Sequence, residues 1–197
     1  MGSQRGKEFY NKIFKSGGNN QVYFKEANEI KDYFLVWSSA YELIKKIIID
    51  ENIVDLGCGP GHFASLFCND HTITYKGYDF SDEAINQAKK RNKNNQNLRF
   101  FLMDLQNDFP KEANKTIYTS FEFLEHVDFD LEIFNKLDSG TRFIFSVPNY
   151  DSAGHVRFFN DKRQIIDRYN KFCSFLSIKE FYFNKKWKIY LCDVLIK

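Results

Sequence analysis

Three glycines at alternate positions, Gly57, Gly59 and Gly61, directly follow an apolar and β-branched run at 53–56 that carries a carboxylate, Asp55. A helix-like stretch, 62–68, comes next. Strand, glycine turn and helix together lay a small ligand against bare backbone. Glycine has no Cβ, so the ligand can touch the main chain and a positive φ is tolerated where the strand turns. The dinucleotide pattern G-x-G-x-x-G needs its third glycine at position 62, where this chain has His62, and no Gly-Lys-Ser/Thr follows to make a phosphate loop. A second carboxylate, Asp79, ends the next apolar run, eighteen residues after Gly61. That is close to the roughly 20 expected of a carboxylate that accepts ribose hydroxyls. The chain is therefore expected to bind a ribose-bearing ligand that needs no phosphate.

The elements that must hold these residues follow from hydrophobic periodicity. Apolar runs at 53–56, 73–78, 98–103, 116–121 and 142–147 read as buried strands. Helical stretches at 62–68, 82–91, 108–112 and 128–137 lie between them. Such alternation predicts a parallel sheet with helices on both faces, and Ser81 before Asp82-Glu83 reads as a helix cap. Further on, 161–175 reads as a helix. Strand-like runs at 177–183 and 187–196, joined by Asn184-Lys185-Lys186, must pair as an antiparallel hairpin. Before the first strand, 8–14 reads as a short helix and 26–49 as one long or two consecutive helices, on either side of the turn Ser16-Gly17-Gly18-Asn19-Asn20. The fold predicted is thus α/β: a Rossmann-like, doubly wound, mostly parallel seven-stranded sheet ending in an antiparallel hairpin, with an N-terminal helical extension. The whole of 1–197 is taken as one domain, 1–49 forming a helical cap on a core of 50–197.

Composition narrows the function classes. Twenty-eight basic against 26 acidic residues leave a net charge of +2, so nothing in the overall balance calls for nucleic acid as a partner. No apolar run approaches the roughly 20 residues needed to span a bilayer. Cys58, Cys68, Cys173 and Cys192 have no zinc-like spacing, and with no apolar leader at the N-terminus they read as reduced thiols of a cytoplasmic protein.

On these residues the chain resembles the class I S-adenosylmethionine-dependent methyltransferases. Val54-Asp55-Leu56-Gly57-Cys58-Gly59-Pro60-Gly61 is similar to their first motif, Asp79 to the second and Met103-Asp104 to the third. Phe121-Glu122-Phe123-Leu124-Glu125-His126 resembles the E-x-x-E-H fourth motif of one branch of small methyltransferases. Ser146-Val147-Pro148-Asn149-Tyr150 and His155-Val156-Arg157-Phe158-Phe159 recur there too. The resemblance covers about 50–197. It implies S-adenosylmethionine as cofactor, its methionine part surrounded by Asp55 and the backbone of Gly57, Cys58, Gly59 and Gly61. It implies Asp79 on the ribose, Phe80 beside the adenine, and Asp104 on the adenine amino group with Met103 and Leu105 framing the ring. Phe121 and Glu122 lie at the end of the fourth strand, where sulfonium and acceptor meet.

The sulfonium methyl is already an electrophile. The protein must align a nucleophile, exclude water and, where needed, take a proton. Glu122, Glu125, His126 and His155 are the candidates, and Glu122, His126 and His155 are taken as the catalytic set. Glu122, Glu125 and His126 would share one face if a helical turn begins there. Two carboxylates and two imidazoles could hold a divalent metal, as in some families with E-x-x-E-H, but the match to the later motif is partial and no metal ligand is assigned. In the blander reading Glu125 and His126 only support the fourth strand through hydrogen bonds. Tyr10, Tyr23, Tyr33 and Trp37 are pocket candidates whose helical spacing favours core packing. Arg157 reads equally as an anchor for an anionic acceptor or as an ion pair within the fold. His62 and His71 have weaker claims.

The leading expectation is methyl transfer to an oxygen or nitrogen of a small acceptor, such as a sugar, nucleotide-linked or other metabolite. Competing readings are methylation of an RNA end, a non-catalytic subunit that keeps the cofactor site, and a nicotinamide-linked oxidoreductase, which the misplaced third glycine opposes.

Overall fold

The computed structural model describes residues 2–49, 52–112 and 115–197; positions 50 and 51, part of the predicted cap-to-core junction, lie outside the described residues. Seven strands form one sheet: β1 Asn52–Leu56, β2 Tyr75–Asp79, β3 Leu98–Leu102, β4 Thr116–Ser120, β5 Arg142–Pro148, β6 Cys173–Tyr182 and β7 Lys188–Ile196. Their spatial order is β3-β2-β1-β4-β5-β7-β6. The first five are parallel, while β7 pairs antiparallel with both β5 and β6. The strand order reverses between β1 and β4, and the crevice at the carboxyl ends of these strands is where such sheets take ligands.

Helices α1 Lys7–Ser16, α2 Lys31–Ile47, α3 Asp82–Arg91, α4 Asp130–Lys136 and α5 Lys162–Tyr169 surround the sheet. Val36, Ala40 and Ile44 of α2, four residues apart, are buried with Ile85 and Ala88 of α3 against one face of the sheet. Ile133 and Phe134 of α4 and Ile165 and Tyr169 of α5 are buried against the other. Local chemistry sets the helix limits. Ser81 Oγ accepts from Ala84 N at 3.1 Å, and Asp161 Oδ1 from Gln164 N at 3.0 Å, so each caps the helix that follows. At the end of α1, Gly17 and Gly18 N–H groups return to Phe14 and Ile13 carbonyls.

Three expectations about elements are corrected. The stretch after the glycines is only a 3-10 turn, Ala64–Phe67. Ser65 Oγ donates to the His62 carbonyl, and Asn95 Nδ2 to those of Phe67 and Cys68, drawing carbonyls away from helical partners. No helix forms at 108–112, where Pro110 interrupts the chain and the Pro110 carbonyl accepts from Tyr118 Oη. The predicted helix 161–175 stops at Tyr169 because β6 already begins at Cys173, paired with Ile196 of β7. The stretch 26–49 takes the second of its two expected forms, a short 3-10 helix, Ala27–Glu29, followed by α2.

Candidate active site

The three glycines have φ of 74°, 51° and 76° in chain order, which explains their alternation. A Cβ on Gly57 would lie 2.4 Å from the Phe123 ring and one on Gly61 2.9 Å from Ala88 Cβ of α3, so these two let protein approach protein. A Cβ on Gly59 would meet no protein atom within 4 Å. Gly59 instead borders a cavity of about 260 Å3, which runs from the glycine loop past Asp79 and Asp104 to Glu122, His126 and His155.

At the glycine end, every carboxylate is tied to backbone or to a neighbouring side chain. Asp79 Oδ2 accepts from Gly59 N at 3.0 Å and Oδ1 from Ser81 N at 2.8 Å. Asp55 accepts from Tyr75 Oη and, at 2.8 Å, from Thr119 Oγ1, its register neighbour on β4. Burial pushes both carboxyl pKa values up to about 6, against these hydrogen bonds. Asp104 is exposed and closes its own turn, accepting from Gln106 N and Asn107 Nδ2. Phe80, Met103, Leu105 and Phe121 line the same cavity. The Cys58 thiol is buried and its pKa raised by that burial, which excludes it as a nucleophile at neutral pH.

The other end is built from loops after β4 and β5 and from the N-terminal helices. No helix carries Glu122, Glu125 and His126. Glu122 sits at φ 52°, and a turn closed by His126 N on the Phe123 carbonyl follows. This corrects the expected helical face. What the turn brings together is Glu125, His126 and His155, each with a ligating atom within 4.8 Å of the others. Glu125, a candidate left out of the catalytic set, is therefore part of the cluster. It is fully buried, and beyond the neighbouring Glu122 carboxyl no other side chain among the described residues supplies a hydrogen bond to its oxygens. Glu122 is near enough to share a proton with it, and burial raises both carboxyl pKa values. Ser146 Oγ donates to Glu122 Oε1 at 3.0 Å and accepts from Glu122 N at 3.1 Å. Burial drops the His126 pKa to about 3, with His155 adding to the effect, and burial lowers His155 as well. Both imidazoles are neutral at pH 7, as ligation or proton acceptance requires.

The walls join both expected roles, since Tyr33 and Trp37 pack against the core and also border the cavity. Tyr10, Tyr23, Tyr33, Trp37 and Tyr150 all face the cavity. Tyr10 Oη is 3.0 Å from His126 Nδ1 and Tyr33 Oη 3.3 Å from Tyr150 Oη. His62 also lines the cavity, stacked on Trp37 at 5.6 Å with its pKa lowered to about 3, chiefly by burial. His71 lies away from the cavity in an exposed turn. The signal for this wall was weak: aromatic residues with polar tips on α1 and α2, indistinguishable by spacing from core. Arg157 is spent within the fold, on the Leu124 and Val127 carbonyls and on Asp130.

Comparison with known proteins follows the same lines. A family described as a methyltransferase domain matches residues 26–182. A mitochondrial ubiquinone biosynthesis O-methyltransferase of Candida albicans is 29% identical over 107 residues, which are 50% of this chain and 33% of that protein. The chain thus spans about one third of the length of that curated relative. Among solved structures, the N-methyltransferase NodS from Bradyrhizobium japonicum WM9, in complex with S-adenosyl-L-homocysteine, superposes with a TM-score of 0.65 at 14% identity, covering 81% of this chain and 85% of that one. A protein from Pyrococcus horikoshii OT3 superposes with a TM-score of 0.69 at 16% identity, covering 98% and 100%. The matched domain takes in the glycine loop, Asp79, Asp104 and both loops of the carboxylate–imidazole cluster, and with this sheet order beneath it the chain belongs to the methyltransferase-domain family, as a class I S-adenosylmethionine-dependent member.

Proposed function

We propose that the chain transfers the methyl group of S-adenosylmethionine to an oxygen or nitrogen of a small acceptor. One observation carries this: a single cavity joins a ribose-type carboxylate beside an open glycine, Asp79 and Gly59, to an acid–imidazole cluster about a tyrosine-lined space. In this reading Asp79 accepts the ribose hydroxyls, and Phe80, Met103, Asp104 and Leu105 receive the adenine. The Gly57–Cys58–Gly59 and Gly61 backbone, with Asp55 beneath it, surrounds the methionine part. Phe121 packs at the sulfonium, while Glu122, Glu125, His126 and His155 face the acceptor. The segment 1–49 serves as a cap on the core 50–197, one catalytic unit.

The charge of the walls supports an acceptor without phosphate or carboxylate. Among the described residues that line the cavity, Arg5 is the sole lysine or arginine, and it lies over Phe9 with its charge centre 5.5 Å from the ring centroid. Arg91 is engaged with the Pro60, Tyr23 and Lys25 carbonyls, as Arg157 is with others. Away from Arg5, a buried anion would meet no lysine or arginine among the described lining residues, and leaving it unpaired costs several kcal/mol or more. The same argument weighs against nucleotide-linked acceptors and RNA ends. Calorimetry with S-adenosylhomocysteine, followed by labelled-methyl transfer to a panel of neutral, cationic and anionic acceptors, tests the proposal. Absence of S-adenosylhomocysteine binding would sink it.

A second reading has its own observation. Glu125, with no side-chain donor beyond the carboxyl of Glu122, and two neutral imidazoles fit the nitrogen-and-carboxylate donor set of zinc, manganese or iron. Bound there, a divalent cation favours the ionised form of a hydroxyl acceptor. An oxygen acceptor also agrees with the name of the Candida albicans relative. Metal analysis of the purified protein, repeated on Glu125→Ala, distinguishes the two readings: metal that survives the substitution is held elsewhere.

A further inference from the structure

The cluster of Glu125, His126 and His155 is assembled from two loops twenty-nine residues apart in sequence, and something must hold the loops in register. The backbone supplies part of the answer: Val156 N donates to the Glu125 carbonyl at 2.8 Å and Arg157 N to the same oxygen at 3.3 Å. The Arg157 side chain supplies the rest. Its Nη1 donates to the carbonyls of Leu124 and Val127, which flank Glu125 and His126. Its Nη2 lies 3.2 Å from Asp130 Oδ1, a carboxylate with no exposure. Asp130 in turn receives both nitrogens of Arg168 at 2.7 Å and Tyr169 Oη at 2.8 Å. Both oxygens of this anchor are thus held from α5, and among the described residues it is the Arg157 side chain that links the anchor to the turn.

We propose that Arg157 is a positioning residue, whose guanidinium, braced by Asp130, sets the Leu124–Val127 turn so that Glu125 and His126 converge on His155. The inference rests on the reading of that cluster as the acceptor end of the active site. It assigns Arg157 no contact with acceptor or cofactor. A lysine cannot replace it, because one ammonium lacks the planar fork that reaches two carbonyls and a carboxylate together. Arg168 shares the same carboxylate but donates nothing to the turn, so the two arginines separate positioning from plain ion pairing.

The four histidines make the test possible without a known acceptor. His126 and His155 belong to the cluster, His62 lies on the opposite wall and His71 is exposed. Imidazole NMR spectra of the full chain should show distinct His126 and His155 signals. In Arg157→Ala and Arg157→Lys both should move toward the position of His71 while His62 stays fixed, and millimolar guanidinium should restore them in Arg157→Ala. In Arg168→Ala both should keep their positions. S-adenosylhomocysteine affinity, read by calorimetry, should stay within about twofold in every variant, because the glycine end shares no hydrogen bond with the clamp. Unmoved His126 and His155 signals in Arg157→Lys, or equal movement in Arg168→Ala, would overturn the inference. Loss of S-adenosylhomocysteine binding by the unaltered chain would instead overturn the cofactor reading and leave the clamp to be judged on the spectra alone.

Discussion

The two ends of one cavity are built by opposite means. At the glycine end the recognising groups are backbone and short side chains from β1, β2 and the turns that follow them, all within residues 55–105. Their hydrogen bonds are complete: Asp79 already holds Gly59 and Ser81, and Asp55 holds Tyr75 and Thr119. At the acceptor end, groups arrive from residues 10 to 155 on five separate segments, and Glu125 finds no side-chain donor beyond the carboxyl of Glu122. The first end is a finished mould for one ligand. The second is chemically open, with buried carboxyls held neutral or shared and imidazoles held uncharged. A family can keep the first and vary the second, which is the division of labour expected of a common donor and many acceptors.

That contrast can be broken by substitution. The largest effect should come from Asp79→Ala, which removes the acceptor of two ribose hydroxyls and the tie to Gly59. A charged hydrogen bond contributes roughly 1.5–3 kcal/mol, so S-adenosylhomocysteine affinity should fall about 100-fold or more by calorimetry. A change under threefold would mean the ribose lies elsewhere. Glu122→Gln, at the other end, should lower methyl transfer by about 10- to 100-fold while S-adenosylhomocysteine affinity holds. Equal losses in both would erase the boundary drawn between the two ends.

A pH series sharpens it further. The folded Asp79 carboxyl has its pKa raised from 3.8 to about 6 by burial. Ribose hydroxyls bind its ionised form, so affinity should rise as pH increases through about 6, reaching a plateau above it and weakening about tenfold at pH 5. Stability of the ligand-free chain should move the other way. A carboxyl with a raised folded pKa contributes most below about pH 4, and that contribution is lost as pH rises through about 6; Asp55 adds in the same sense. Thermal melts with and without S-adenosylhomocysteine across pH 4.5–7.5 check both signs at once. The smallest effect belongs to Tyr10→Phe. Loss of one hydrogen bond to His126 costs about 1 kcal/mol, a several-fold drop in transfer, with His71→Ala as an unchanged reference.

Legibility in the sequence divided along the same line. Strand positions, the switch point and the closing hairpin could be read because buried strands leave continuous apolar runs and a hairpin leaves no room for a crossover. Gly57, Gly59, Gly61 and Asp79 could be read because backbone conformation and a fixed offset restrict residue type. Their partners were less visible: nothing in the spacing showed that Asp55 would be shared between Tyr75 and Thr119. At the acceptor end, the three-residue spacing of Glu122 and Glu125 suggested a helical face, and tertiary bonds to Ser146 and Arg157 imposed a turn instead. Tyr33 and Trp37, one turn apart on α2, are the same pattern whether they pack a core or line a cavity. The early stop of α5 was equally hidden, since 173–175 fits either period until β7 is there to pair with it.

The walls contributed by Tyr10, Tyr23, Tyr33 and Trp37 come from a stretch of chain that adds no strand to the sheet. Acceptor choice can therefore be varied at the cavity-facing positions of this stretch without altering any strand, whereas Asn11 on Ser81, the Tyr23 and Lys25 carbonyls on Arg91 and the buried Val36 must be kept, because they tie the stretch to the donor end and the core. Chimaeras that join a foreign N-terminal segment to this chain at α2 are the natural route to retargeting it, provided the incoming segment keeps these ties and a hydroxyl within reach of His126.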